Sequence, residues 1–84
     1  MATANITITR AWTKVAEDFD NFLLDIPGSL EFEVAATETD TAPTVLGHRL
    51  KDGDALTRTV LGSGFVWCRV VDHRYDTTIA VITK

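Results

Sequence analysis

With 84 residues and a single cysteine, Cys68, the chain has room for one domain, residues 1–84, and for no internal disulfide. A net charge of −4, with Lys and Arg scattered from Arg10 to Lys84, lacks the basic footprint that nucleic-acid binding needs. No apolar run reaches the roughly 20 residues of a membrane-spanning helix, so neither nucleic acid nor membrane is an expected partner.

Taken from the start, Met1 to Thr7 lack a basic segment followed by an apolar core, so no secretory signal is expected there. The Asn5-Ile6-Thr7 sequon is then read as a chance match. Ile6 and Ile8 alternate with polar residues in a short strand. Residues 10–26 admit two readings. Val15, Phe19, Phe22, Leu23 and Ile26 recur at helical spacing, yet Ala11 to Ala16 is β-prone and Glu17 to Asn21 is rich in turn formers. Two strands, the second at Phe22 to Leu24, suit the all-β remainder better than one helix.

Pro27-Gly28 marks a turn. Leu30, Phe32, Val34 and Ala36 alternate with Glu31 and Glu33, a half-buried strand with its carboxylates outward. Thr37 to Thr44, with Pro43 in it, has no apolar anchor and reads as a solvated loop or an arm lying on a neighbouring subunit. Val45 to Leu50 and Ala55 to Leu61 flank Asp52-Gly53, a tight-hairpin signal, and Gly47 inside the first run is a candidate bulge. Gly62-Ser63-Gly64 predicts the next reversal. Phe65 to Val71 and Thr77 to Thr83, joined by polar residues 72–76, predict an antiparallel hairpin. Both faces of the first of these runs are apolar, as in a strand central to a two-layer structure. Seven to eight short strands with turns every 8–12 residues predict an all-β domain, a small antiparallel sandwich or barrel.

Catalytic patterns are scarce. Ser29 and Ser63 sit beside glycines in turns, and no nucleophile elbow surrounds either. His48 and His73 have no partner at zinc-ligand spacing, and Asp18 to Phe22 lacks the third ligand and closing glutamate of a calcium loop. Glu31 and Glu33, roughly 7 Å apart along a strand, have no evident cleft around them. No catalytic residue, metal or cofactor is expected, and the chain is not expected to be an enzyme. Trp12, Phe65, Trp67 and Tyr75 read mainly as core or interface anchors, with a sugar-stacking platform as the alternative. His73, Arg74 and Tyr75 at a turn are the expected contact point with another molecule, with Pro43 as a second.

The succession Trp12 to Ala16, Phe22 to Leu24, Ala42-Pro43, Gly47 to Leu50, Gly53 to Arg58, Gly64 to Arg69 and Thr78 to Thr83 resembles small β-structured virion proteins of tailed bacteriophages. The resemblance implies an accessory protein of the particle, a capsid decoration or cement subunit or a tail adaptor. It implies a homo-oligomer that joins major capsid or tail proteins, assembled in the host bacterial cytoplasm and carried in the virion. The alternative from residue chemistry is a small module that binds carbohydrate or a host surface.

Overall fold

The computed structural model describes residues 2–27, 30–51 and 55–84. Among them eight strands form: β1 (Thr3–Thr9), β2 (Thr13–Ala16), β3 (Leu23–Asp25), β4 (Phe32–Thr37), β5 (His48–Leu50), β6 (Ala55–Thr57), β7 (Phe65–Val70) and β8 (Thr77–Thr83). One turn of helix, α1 (Arg58–Leu61), lies between β6 and β7. All pairings are antiparallel, in two four-stranded sheets ordered β1-β8-β3-β6 and β2-β7-β4-β5. The fold is a small β-sandwich, as the strand pattern predicts.

The core is what period-two alternation delivers. Ile8, Leu24, Leu56, Ala80 and Ile82 come from one sheet, and Val15, Phe32, Val34, Val66, Cys68 and Val70 from the other. Phe22, Ile26 and Leu30 fill in from the connections. A bulge in β2 between Lys14 and Ala16 lets both Val15 and Ala16 turn inward. Residues 10–26 therefore take the two-strand reading. Their helical spacing is incidental: Phe19 stands in solvent on the turn between β2 and β3.

Four local expectations are corrected. The run pairs 65–71 with 77–83 and 45–50 with 55–61 are not hairpins. β7 pairs with β2 and β4 and β8 with β1 and β3, while β5 pairs with β4 and β6 with β3. The chain crosses from one sheet to the other at both of these connections, whereas β4 and β5 stay in one sheet as neighbours. Of the turn signals, Pro27-Gly28 and Asp52-Gly53 fall at or in stretches outside the described residues.

The run 55–61 is strand only to Thr57. The Arg58 guanidinium donates to the carbonyls of Glu17, Asp20, Gly62 and Gly64, at 2.7, 2.8, 3.1 and 2.7 Å, and this clamp curls residues 58–61 into a helical turn. The reversal at Gly62-Ser63-Gly64 forms as expected, with φ of +80° and +120° at its glycines.

The third correction concerns Glu33, which is 2 % exposed although it lies on the face opposite Phe32 and Val34. Residues 38–47 fold back over that face. Lys14 Nζ pairs with Asp40 at 2.9 Å, and the Gly47 N–H donates to Glu33 Oε2 at 3.1 Å. Gly47 lies just before β5, outside the paired residues, so the bulge expected there does not form, a fourth correction. A Cβ there would stand 2.5 Å from the Val34 carbonyl oxygen and 3.0 Å from the Trp12 ring, so only glycine permits this approach.

Candidate functional site

Two surfaces merit a chemical reading. The first is a cleft of about 430 Å³ at the end of the sandwich, lined by Glu31, Arg49, Val71, Asp72, His73 and Arg74. The connection from β7 to β8 builds it around the buried carboxylate of Asp72. Asp72 Oδ1 accepts from the Arg74 backbone N–H and from Arg74 Nε, both at 3.0 Å. Oδ2 accepts from Arg74 Nη2 at 2.9 Å and from the Glu31 N–H at 3.1 Å. The Val71 and Asp72 N–H groups donate to the Glu31 carbonyl at 3.3 and 3.1 Å, and Arg10 donates from below to the Asp72 and Tyr75 carbonyls.

These bonds settle the electrostatics. The Arg74 guanidinium, followed by the Arg74 and Glu31 backbone N–H groups, holds the Asp72 carboxyl far below the usual carboxylate range. Asp72 in turn raises the Arg74 pKa. Asp72 already accepts four hydrogen bonds, so no lone pair is left to act as a general base. Its work is to fix the turn that presents His73, Arg74 and Tyr75. Tyr75 is 43 % exposed, with the Arg74 guanidinium 5.4 Å from its ring centroid. That distance places the cation over a half-exposed ring, within cation–π range.

The structure thus brings His73, Arg74 and Tyr75 together and leaves Pro43 elsewhere. Pro43 lines a separate hollow with Thr37 to Val45, at the far end of β4. The two linings share no residue. The aromatic set is dispersed as well. Trp67 is buried and donates from Nε1 to Thr37 Oγ1 at 2.9 Å. Trp12 lies under the Arg69 guanidinium at 4.4 Å, and Phe65 under the Lys14 ammonium at 5.5 Å. These rings pack the covered outer face of the second sheet, and Tyr75, outside the cleft lining, is half-exposed on the turn next to it.

The second surface is apolar. Phe19 is 84 % exposed, Leu46 80 %, Val45 69 % and Val60 67 %. Val60 also borders a groove of about 230 Å³ with Val34, His48, Leu50, Leu56 and Leu61, where the two sheets part. Phe19 is the most deliberate of these. The Glu17 N–H donates to Asp20 Oδ2 at 2.9 Å, and Lys84 Nζ pairs with Asp20 at 3.2 Å. Asp18 Oδ1 accepts from the Gly64 N–H at 2.8 Å, and Arg58 grips the Glu17 and Asp20 carbonyls. The Asp18 and Asp20 carboxylates on either side of Phe19 are tied inward, so the ring is held outward on an anchored turn. Reading that turn as generic overlooks this; the signal was one aromatic among side chains that cap a turn.

Among the described residues no group of three His, Cys, Asp or Glu side chains could hold a metal ion. No described helix is long and apolar enough to cross a membrane. Cys68 is buried, and burial pushes its thiol up to about 12. No family model, curated protein or solved structure matches the chain.

Proposed function

We propose that the chain is a structural virion protein of a tailed bacteriophage, a capsid decoration or cement subunit that docks on the capsid lattice and self-associates. The observation that carries the reading is Phe19, 84 % exposed on a turn anchored from both sides. Burying such a side chain at a partner costs little ordering entropy, and rigid aromatic anchors of this kind dominate binding energies. The resemblance of its strand and turn runs to small phage virion proteins supports the same reading.

Purified particles test this. Mass spectrometry is expected to find the chain in many copies per particle, and Phe19→Asp is expected to lower that occupancy at least about ten-fold, as for a central aromatic hot spot. Particles without the chain refute the proposal.

A module for carbohydrate or a host surface is the second reading, supported by Tyr75 beside the 430 Å³ cleft with Arg49, His73 and Arg74 around it. It predicts glycan binding by the free protein that Tyr75→Ala removes while Phe19→Asp leaves it intact.

A further inference from the structure

Each sheet of an open sandwich ends in two strands with unpaired backbone groups, and proteins commonly guard such edges with charge, proline, bulges or shortness. Three of the four edges here carry a guard. β2 has four residues, Lys14 and a bulge. β5 has three residues, two of them His48 and Arg49. β6 has three residues and runs straight into α1.

The fourth edge has none. β1 reads Thr-Ala-Asn-Ile-Thr-Ile-Thr, seven residues without a charge or a proline. Its register with β8 runs unbroken from Thr3↔Thr83 to Thr9↔Thr77. Ala2 and Lys84 exchange both backbone hydrogen bonds, at 2.9 and 3.1 Å. The antiparallel alternation then turns the N–H and C=O groups of Ala4, Ile6 and Ile8 toward β8 and those of Thr3, Asn5, Thr7 and Thr9 away from the sheet. No described strand lies on that side.

We infer that the outer edge of β1 is a self-association site, where β1 of a second copy adds antiparallel about a two-fold axis through Ile6. The strand is complementary to itself in this register. Thr3 meets Thr9 of the second copy and Asn5 meets Thr7, and each such pair exchanges two backbone bonds between groups that otherwise face water. On the outer surface the new neighbours are Thr with Thr and Asn with Thr, pairs that hydrogen-bond across strands. Thr3 Oγ1 and Thr83 Oγ1 already do so within one copy, at 2.8 Å.

On the inner surface Ile6 meets Ile6 and Ala4 meets Ile8. This extends the core, to whose margin Ile6 is only partly buried. Copies with a net charge of −4 repel in general, but this strand and the outward residues Thr77, Ile79, Val81 and Thr83 of β8 carry no charge. Isologous pairing uses up the one unguarded edge of each copy, so the product is a closed dimer with an eight-stranded sheet and not a fibre.

This specifies the self-association in the proposed function, yet it is tested on free protein, so a missing dimer and a missing virion copy are separate results. Sedimentation equilibrium of the full chain is expected to give a dimer with Kd on the order of 10–100 μM, the weak range of a small interface. Thr7→Pro removes an outward N–H, which an edge strand tolerates, and Thr7→Lys adds a guard. Each is expected to weaken the dimer at least about ten-fold with the monomer's circular dichroism unchanged.

Residues facing across the two-fold are about 4.5 Å apart at Cα, within disulfide reach. Ile6→Cys is therefore expected to oxidise to a covalent dimer, and Ile79→Cys, at a more exposed position, is not. A wild type that stays monomeric across this concentration range overturns the inference and leaves the edge to an extended segment of another protein. A Thr7→Pro dimer as tight as wild type overturns it too.

Discussion

Replacing Glu33 by Ala tests whether a polar side chain on the outer face of a strand holds this fold together. Glu33 Oε1 accepts from Arg69 Nε at 2.8 Å and pairs with Arg69 Nη2 at 2.7 Å, while Oε2 accepts the Gly47 N–H at 3.1 Å. Truncation leaves the Gly47 N–H without its partner and Arg69 without its counter-charge. Breaking a fully buried pair costs about 3–5 kcal/mol. The Arg69 side chain keeps 26 % of its surface in water and can be partly resolvated, which lowers the expected loss to about 2–3 kcal/mol.

Against a total of about 4–12 kcal/mol for a chain of this length, that is a large fraction. It corresponds to a Tm drop of roughly 10–20 °C, at about 4–8 °C per kcal/mol for so small a domain. The assay is urea unfolding followed by tryptophan fluorescence, because Trp12 and Trp67 both lie against the affected face. Glu31→Ala is the control. Glu31 is half-exposed and 3.8 Å from Arg49, so its loss is expected to cost at most about 0.5 kcal/mol. Equal costs for the two variants, within error, would refute the reasoning.

Other outcomes follow from the same geometry. Because the folded-state pKa of Asp72 is depressed, its contribution to stability is full above the unfolded value near 3.8 and fades as pH falls below it. Asp72→Asn should therefore melt below wild type at neutral pH, with the gap closing in strong acid; a gap constant with pH counts against the Arg74 pairing. The Cys68 thiol, buried and pushed up to about 12, should react with a thiol reagent at mildly alkaline pH only as fast as the protein opens. Labelling at the rate of a free thiol would contradict that placement. Gly64→Ala puts a Cβ 2.6 Å from the Thr37 carbonyl oxygen at φ +120° and should cost about 2–3 kcal/mol in urea unfolding, whereas Ser63→Ala beside it should be nearly silent.

Alternation of residue types is a local property, and it made the strands legible. It places Phe32 and Val34 on one face and Glu33 on the other, which is correct. It cannot say whether the second face is wet, because that depends on where residues 38–47 go, and their path is fixed by Lys14, Glu33 and the bare backbone of Gly47. The partners of β7 and β8 were hidden for a similar reason: a polar connection such as 72–76 can close a hairpin or climb across the core. Here Asp72 and Arg10 tie it over the end of the sandwich. Arg58 looked like one more scattered cation, yet four carbonyls gather round it and end β6 early. His73, Arg74 and Tyr75 could be grouped from their adjacency alone. Phe19 could not, since its role depends on contacts from residues up to 65 positions away.

The place of β8 in its sheet has a consequence during synthesis. β8 is made after every other described strand, and it lies between β1 and β3. Until it emerges, β1 has no described strand hydrogen-bonded beside it, and its uncharged backbone stays open to other nascent copies. Closure of this sheet thus waits for β8, and any pause in translation shortly before Thr77 would prolong the interval in which nascent copies can pair wrongly.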